Sequence, residues 1–340
     1  MLRKALLMFA RAAACVLACL AAWAFNATAA NPRATDSRPA DPLSWLHQSQ
    51  NAAQKLDYSG TFVYQQGAQV RTSRITRLRT GKSVTEKLEI LDGQSQETIR
   101  NGEEIVHYLP AERRIIVEHR AGERNFPEMH LIKSQELTRH YAVRQLGTDR
   151  IAGRTAVGIA FEPRDALRYG YRFWSDRSSG LLLRAQTLSE KGEVIEQIAF
   201  TQLVIGKVRA SQIKTSHSNT RGWRIENSPV TTTDSSGWKA GWLPAGFKLI
   251  RTVRRVLGRA DGTGESREVV QLVFSDGLAG ISVFVEPWSA RHEGLPLQQG
   301  SLNMLGKRHG KFWLTIVGEV PLVSIRQIAE SLEFAATDPR

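Results

Sequence analysis

The feature that most constrains the fold is a long series of short segments with alternating apolar and polar residues, running from Tyr58 to about Gly206. About ten such segments follow one another, separated by turn residues, which is the pattern of consecutive antiparallel strands. One amphipathic helix precedes them: Asp41 and Pro42 suit its first turn, and Leu46 lies on its apolar side. A sheet of this size must curl, because strand twist accumulates and open edges promote association. We therefore predict an unclosed antiparallel half-barrel over residues 41–210, with a helix lying in its mouth.

The first segment, residues 1–30, is predicted to be a secretory signal. Arg3 and Lys4 precede an apolar run over residues 12–25, and the small residues NATAA follow it, which is the order that export signals share. The run is shorter than the ~20 residues of a membrane-spanning helix, so an uncleaved anchor is the less favoured alternative. Residues 31–40 are polar and contain prolines, and we predict a disordered leader there.

Both cysteines, Cys15 and Cys19, lie within the predicted signal. The exported chain would therefore enter an oxidising compartment without a disulfide, and without a thiolate for catalysis or zinc binding. Burial alone must stabilise it, and about 310 residues are ample for that purpose.

A second, smaller domain is predicted over residues 238–335. The stretch 211–237 is polar, rich in Ser, Thr and Asn, and without clear periodicity, which is typical of a linker. Beyond it, strands and a hairpin turn at Asp276-Gly277 precede a closing amphipathic helix that begins near Pro321. This pattern, within about one hundred residues, indicates a small α+β domain.

The chain is strongly basic. Its net charge is +13, and removing the three basic residues of the signal leaves 43 basic against 33 acidic residues, or +10. Outside the cytoplasm the polyanions available to such a surface are lipopolysaccharide, anionic lipid headgroups and acidic protein segments rather than nucleic acid. The densest basic feature is one predicted strand, for which we predict a basic binding surface, with ordinary solvation as the alternative. Its residues on one face are Arg71, Arg77 and Arg79, and Arg74 and Lys82 accompany them.

The sequence contains no recognisable catalytic or cofactor motif. The eight histidines show no metal-site spacing, and Thr76 stands where a phosphate loop ending at Gly81-Lys82-Ser83 would need glycine. No nucleophile elbow of the form G-x-S-x-G occurs. Glu103 and Glu104 are adjacent on a predicted strand, so their side chains point to opposite faces. We predict a chain without enzymatic activity, and without catalytic residues, metal or cofactor.

Aromatic residues occur on both faces of several predicted strands, where a sheet with one wet face would show cleaner alternation. One interpretation is that they line an apolar groove for a ligand or partner, and the alternative is ordinary core. The residues predicted for the groove are Trp45, Phe62, Tyr64, Tyr169, Tyr171, Phe173, Trp174 and Phe200.

Several stretches resemble one known family, the periplasmic regulators RseB and MucB. The longest runs from Gly147 to Leu203 (GTDRIAGRTAVGIAFEPRDALRYGYRFWSD and onward). Others are YSGTFVY, NGEEIVHYLP, WLPAGF, FSDGLAGISVFVE and IVGEVP, in the same order along the chain. The resemblance runs from about Asp41 to Phe334. It implies that the first domain has the fold of the lipoprotein carriers LolA and LolB, and that the second is a small mixed sheet with a helix.

The same resemblance implies a periplasmic regulator of the sigma-E envelope stress response. Such a protein binds the periplasmic part of a RseA- or MucA-like anti-sigma factor and shields it from the site-1 protease. Lipopolysaccharide or another acylated lipid loosens the complex, and the family tends to self-associate. A lipid or lipoprotein carrier of the LolA type is the competing interpretation, although simple carriers lack a second domain, and an exported hydrolase is a third.

Overall fold

The computed structural model describes residues 42–81, 83–119, 134–228, 230–233, 236–257, 267–289 and 296–334. The predicted signal and leader, both cysteines and Lys82 lie outside the described residues. Within those ranges no helix is both long and apolar enough to span a bilayer.

The first part of the chain forms one large sheet with two helices. Helix α1 (Pro42–Lys55) leads into the strands, and α2 (Ser134–His140) precedes β7. The strands are β1 (Tyr58–Gln66), β2 (Gln69–Thr80), β3 (Ser83–Ile90), β4 (Gln96–Asn101), β5 (Glu104–Leu109), β6 (Arg114–His119), β7 (Tyr141–Ile151), β8 (Arg154–Pro163), β9 (Gly170–Asp176), β10 (Leu182–Leu188) and β11 (Val194–Ile205). Short 3-10 turns lie at Pro110–Glu112 and Ala210–Ile213.

The strands of this sheet are hydrogen-bonded in the order β6-β5-β4-β3-β2-β1-β11-β10-β9-β8-β7, so β1 pairs with β11 at the centre. All of these pairs are antiparallel. Among the described strands, β7 is hydrogen-bonded to β8 alone, so the sheet is unclosed at this edge.

Two hairpin turns show how the sequence sets the strand register. The two residues between β4 and β5 are Gly102 and Glu103, and Gly102 alone has a positive φ, of 60°, as in a turn with glycine at its first central position. Between β7 and β8 both Ala152 and Gly153 have positive φ, of 48° and 77°, as in the other common two-residue hairpin turn. Because these turns match the right-handed twist of the flanking strands, the two hairpins form with direct antiparallel pairing.

Helix α1 covers one face of the large sheet, which we call the inner face. Leu46 packs in a buried cluster with Tyr171 and Phe173, and Ala52 packs in a second cluster with Phe62 and Phe200. The apolar side of α1 therefore faces the sheet, as the helical periodicity predicts.

A bulge in β11 determines which of its residues reach the inner face. Phe62 pairs with Phe200, but Thr61 pairs with Gln202, so Thr201 is an additional residue in β11. An additional residue exchanges the two faces of a strand. Leu203, which simple alternation would place opposite Phe200, consequently packs in the same cluster as Phe200.

The segment predicted as an irregular linker contains regular structure. Strand β12 (Arg224–Ser228) pairs with β6 in parallel and forms the other edge of the large sheet. Strand β13 (Val230–Thr232) follows almost directly and pairs with a strand of the second sheet. The backbone hydrogen bonds of this polar segment are thus made to both sheets, which sequence composition alone does not reveal.

The second part of the chain forms a smaller sheet packed against one helix. Its order is β13-β15-β16-β17-β20-β19-β18, and β14 pairs with β21 separately. The elements are β14 (Trp238–Ala240), β15 (Lys248–Leu257), β16 (Arg267–Ser275), β17 (Gly280–Pro287), β18 (Leu297–Gln299), β19 (Leu302–His309), β20 (Phe312–Gly318), α3 (Leu322–Ser331) and β21 (Leu332–Phe334).

The core of the second sheet lies between its strands and α3. Ile325 and Ile328 of α3 are buried against a cluster that includes Val283, Leu314 and Ile316. The prediction of a mainly β chain with an unclosed, helix-covered sheet and a smaller C-terminal α+β part is confirmed. The predicted boundaries at 41–210, 211–237 and 238–335 stay predictions.

Candidate functional site

The eight predicted groove residues lie in four different environments. Six of them belong to the two inner-face clusters, and the others are Tyr169, at the second sheet, and Trp174, on the opposite face. The six are Trp45, Tyr171 and Phe173 in one cluster and Phe62, Tyr64 and Phe200 in the other.

The central inner-face cluster is built by β1 and β11. Phe62 and Phe200 are paired residues whose ring centroids lie 5.9 Å apart in an edge-to-face arrangement, and Tyr58 lies 6.3 Å from Phe200. Tyr64 is only partly buried at the margin of this cluster. Burial and the neighbouring Glu196 carboxylate raise the pKa of the Tyr64 hydroxyl, so this hydroxyl stays protonated and able to donate.

The other inner-face cluster combines aromatic residues from β7, β8 and β9. Tyr171 lies 5.9 Å from Phe173 and 6.2 Å from Tyr141, measured between ring centroids. Trp45 of α1 packs at its edge. One residue of the second sheet also packs against this cluster, namely Leu278. The inner face is therefore completed in part by the C-terminal part of the chain.

Trp174 does not belong to the inner face, which corrects its placement in the predicted groove. Its paired residues are Gly158 and Arg184, and it packs with a separate cluster that contains Ile151 and Leu183. The Arg184 guanidinium lies 3.9 Å from the Trp174 ring centroid, a cation–π contact. Because successive strand residues alternate between faces, Phe173 and Trp174 cannot line one groove.

Tyr169 lies at the contact with the second sheet. Its hydroxyl accepts a hydrogen bond of 2.9 Å from Nδ2 of Asn303 in β19. The same Asn303 nitrogen also donates to the backbone oxygen of Val320. The sequence singled out Tyr169 for its aromatic ring, whereas the structure shows a hydrogen-bonded contact between the two sheets.

The three arginines of the predicted basic surface divide between surface and interior. Arg71 and Arg79 are exposed, but Arg77 is 3% exposed and donates to Oε1 of Glu86 at 2.5 Å. Arg77 and Arg79 also donate to the backbone oxygen of Gln54, in the last turn of α1. Arginines at this position satisfy a free helix carbonyl and favour the negative end of the helix dipole. Arg77 is thus a helix-anchoring residue, not part of a binding surface.

Sequence reasoning missed a buried polar site that joins the two sheets. Arg168, before β9, donates from Nη1 to Oδ2 of Asp276 at 2.8 Å, and Tyr141 donates to the same oxygen at 2.8 Å. Arg168 also donates to Asp165 and to the backbone oxygen of Ala245. The sequence predicts only a hairpin turn at Asp276-Gly277, and a turn signal does not show what its carboxylate contacts.

Further contacts between the sheets surround this buried site. Ser324 of α3 donates to the backbone oxygen of Leu167 at 2.7 Å. Gln66 donates to the backbone oxygen of Gln299 at 3.0 Å, and the Ser301 hydroxyl donates to Glu196. The contact is therefore extended and largely polar, with Leu278 as its apolar element.

The described residues contain no cluster of three or more His, Cys, Asp or Glu side chains placed to hold a metal ion. What the candidate site offers chemically is hydrogen-bond donors, one buried guanidinium and aromatic surface. These groups suit recognition of a carboxylate and an apolar group.

Comparison with known proteins shows which proteins share this sequence and architecture. The profile of the MucB/RseB N-terminal domain matches residues 41–221, and that of the MucB/RseB C-terminal domain matches residues 232–333. The sigma factor AlgU regulatory protein MucB of Pseudomonas aeruginosa is 32% identical over 302 residues, which cover 87% of this chain and 92% of that protein. The sigma-E factor regulatory protein RseB of Escherichia coli is 27% identical over 293 residues, which cover 86% and 90%.

Solved structures give the same result. The crystal structure of MucB in complex with MucA(peri) matches with a TM-score of 0.67 at 29% identity and covers 87% of this chain and all of that one. The crystal structure of MucB matches with a TM-score of 0.64 at 29% identity, covering 86% and 98%. The relatives are regulatory proteins by name, which agrees with the prediction that the chain is not an enzyme. The chain belongs to the MucB/RseB family.

Proposed function

We propose that this chain binds, in the periplasm, the periplasmic segment of a membrane-bound anti-sigma factor of the MucA or RseA type. One observation carries the proposal: the fold matches, over the full length of the solved chain, a MucB structure determined with MucA(peri) bound. The match covers 87% of this chain and so extends over both sheets.

The charge of the chain supports an acidic partner. Without the predicted signal the chain has 43 basic and 33 acidic residues, and this net charge of +10 favours encounter with acidic segments. Arg71 is exposed near the start of β2, beside the partly buried Tyr64, with which it is paired in register. A cation next to an aromatic ring on the rim of the sheet suits an acidic segment that carries apolar side chains.

We further propose that binding protects the anti-sigma factor from its first proteolytic cut, and that lipopolysaccharide or a related acylated lipid releases it. Release requires only that the lipid and the segment bind different conformational states of the chain, or that they bind overlapping surfaces of it. By linkage, the lipid then lowers the affinity for the segment by the same factor by which the segment lowers the affinity for the lipid.

The test is a titration of the purified chain with the fluorescently labelled periplasmic segment, with and without lipopolysaccharide, and a parallel digestion of the segment by the site-1 protease. We expect saturable binding, slower cleavage in the complex, and weaker binding when lipid is present. Arg71→Glu should weaken binding at low salt, whereas Lys191→Glu, an exposed cation in the turn between β10 and β11, serves as the matched charge control.

Two outcomes would contradict the proposal. The first is no binding of the segment by a folded chain. The second is retention of many acylated lipoproteins, without the anti-sigma factor, when the chain is used to capture membrane proteins, which would support a carrier of the LolA type. Self-association stays a prediction, and sedimentation of the chain over a concentration series tests it.

A further inference from the structure

The turn between β16 and β17 projects from the second sheet as a rigid tip, formed by Asp276, Gly277 and Leu278. Asp276 Oδ1 accepts hydrogen bonds from the backbone nitrogens of Leu278 and Ala279, at 3.0 and 2.9 Å. The Ser275 hydroxyl donates to the backbone oxygen of Ala279 at 2.8 Å and accepts from the nitrogen of Gly277 at 2.9 Å. These bonds fix the carboxylate and the Leu278 side chain in one relative arrangement.

The tip is seated on the large sheet as a ligand would be. The Asp276 carboxylate meets the Arg168 guanidinium and the Tyr141 hydroxyl, each at 2.8 Å. Two residues later, Leu278 packs against the inner-face cluster that contains Tyr141, Tyr171 and Phe173. The large sheet thus presents a guanidinium and a hydroxyl donor beside an aromatic surface. The acidic side chain of the tip contacts the donors, and its apolar side chain contacts the aromatic surface.

One polar group of this site is left unused by the tip. The Tyr171 hydroxyl is buried and has no hydrogen-bond partner among the described residues. Burial, followed by the negative charge of Asp276, raises the pKa of this hydroxyl. Because a buried donor without a partner is costly and uncommon, the native tip does not use the full hydrogen-bonding capacity of the site.

We propose that the large sheet carries a peptide-binding site for a segment with a carboxylate two residues before a branched apolar side chain, and that the Asp276-Gly277-Leu278 tip occupies this site internally until such a segment displaces it. The proposal rests on the proposed function where it names the source of the segment, the anti-sigma factor. The site itself follows from the seated tip.

Exchange between tip and partner is a competition between a tethered and a free occupant. The tethered tip competes at a high effective concentration, so a partner segment displaces it only by making contacts that the tip does not make, such as a hydrogen bond with the Tyr171 hydroxyl. Occupation by a partner segment is therefore coupled to the contact between the two sheets, since the same residues serve both.

The probe for this site is a labelled synthetic peptide with the sequence FSDGLAGI, which copies residues 274–281. We expect the full chain with Asp276→Ala and Leu278→Ala to bind this peptide at least tenfold more tightly than the unchanged chain, because the internal occupant is disabled. Replacing Asp by Asn or Leu by Ala in the peptide should weaken its binding to that variant about tenfold, the equivalent of about 1.4 kcal/mol. Leu302→Ala removes an exposed leucine from the same small sheet and should behave as the unchanged chain.

A second variant guards against misfolding of the first. Leu278→Ala alone keeps the ion pair of Asp276 and Arg168, and it should still bind the peptide more tightly than the unchanged chain does. The proposal would be overturned if a folded variant and the unchanged chain bound the peptide equally well. It would also be overturned if the Asp→Asn change in the peptide left its affinity unchanged. The tip would then be a purely structural contact.

A competition experiment separates this proposal from the proposed function. The anti-sigma periplasmic segment should displace the labelled peptide from the variant, and removing an acidic residue that stands two positions before an apolar one in the segment should abolish displacement. A segment that binds the chain without displacing the peptide overturns the inference alone. If the segment fails to bind at all, the proposed function fails, while peptide binding still tests the site. A dimer that Leu278→Ala abolishes would assign the site to the tip of a second copy and also overturn the proposal.

Discussion

The guanidinium of Arg168 lies 2.8 Å from the carboxylate of Asp276, and the two side chains are 0% and 1% exposed. Arg168 comes from the loop before β9 and Asp276 from the turn between β16 and β17, so this pair joins the two sheets. A buried guanidinium is tolerated only when its donors are satisfied. Asp165 Oδ1 at 3.0 Å and the Ala245 oxygen at 2.6 Å accept its other donors.

Breaking this buried pair should destabilise the chain strongly. Arg168→Met leaves the Asp276 carboxylate buried without its cation, and we expect a loss of about 3–5 kcal/mol in the free energy of unfolding. Arg254→Met breaks a pair with Glu268 whose side chains are 45% and 55% exposed, and it should cost less than about 1 kcal/mol. Urea unfolding of the two variants measures both losses. Equal losses would show that Arg168 is not a buried anchor.

Gly60, within the YSGTFVY stretch, is required by the position of the Phe200 ring. A Cβ at Gly60 would lie 2.6 Å from Cε1 of Phe200 and 2.8 Å from the Gln202 oxygen. Gly60→Ala should therefore lower the free energy of unfolding by about 1–3 kcal/mol, as overpacking does. A Cβ at Gly280 would meet no atom within 4 Å, so Gly280→Ala should change stability by less than about 1 kcal/mol. The midpoints of urea unfolding measure both changes in stability. A Gly60→Ala variant as stable as the unchanged chain would contradict the packing of Phe200 against Gly60.

The elements of this fold could be predicted from sequence where local pattern decides them. Alternation located the strands from Tyr58 onward, and helical periodicity located α1 and α3, because both signals are carried by neighbouring residues. The face of Leu203 could not be predicted, since it depends on the bulge at Thr201 in pairing with β1. Strand β12 was missed because its partner, β6, is distant in sequence and its own residues are polar.

The candidate site was predicted less well for a related reason. Aromatic content assigned Phe62, Phe173 and Phe200 to a predicted groove. All three are buried in the inner-face clusters, where they pack as the alternative of ordinary core expects, and the groove stays a prediction. Charge pattern alone could not show that Arg77 is buried, because its partner Glu86 is defined only by the register of β2 with β3. The Arg168–Asp276 pair joins residues 108 positions apart. Only the packing of the two sheets brings them together.

Acidification should weaken the attachment of the segment after β11 to the large sheet. Burial disfavours the ionised form of Glu97, but hydrogen bonds from Ser216 and Thr215 and the charge of Lys87 outweigh it and lower the pKa of Glu97. A carboxylate with a lowered pKa stabilises the fold above its unfolded value of about 4.5, and that contribution is lost as the pH falls through the folded value.

The measurement for Glu97 is the free energy of unfolding in urea between about pH 7 and about pH 2, because the contribution is lost below the unfolded value and through the lowered folded one. We expect the unchanged chain to lose stability toward the acidic end, and Glu97→Gln to be less stable at neutral pH but to lose less on acidification. The control is Glu162→Gln, which removes an exposed carboxylate paired with Arg144. A pH dependence that is the same for Glu97→Gln and the unchanged chain would contradict the assignment.

Arg77 and Arg71 lie on the same strand, and we expect substitution of Arg77 to affect stability and substitution of Arg71 to affect binding. Arg77→Ala removes the cation 2.5 Å from Glu86 and the donor 2.8 Å from the Gln54 oxygen, so α1 loses an anchor at its C-terminal end. We expect a loss of about 3 kcal/mol in the free energy of unfolding, because a nearly buried carboxylate is left without its partner. Arg71→Ala, at an exposed position, should stay within about 0.5 kcal/mol of the unchanged chain in the free energy of unfolding.

The same Arg71→Ala variant should weaken binding of the acidic anti-sigma segment, because it removes a cation from the proposed binding surface. Its binding should also depend less on salt concentration than that of the unchanged chain. Unfolding in urea and binding titrations at two salt concentrations measure the two effects, and an Arg77→Ala variant as stable as Arg71→Ala would refute the anchoring role.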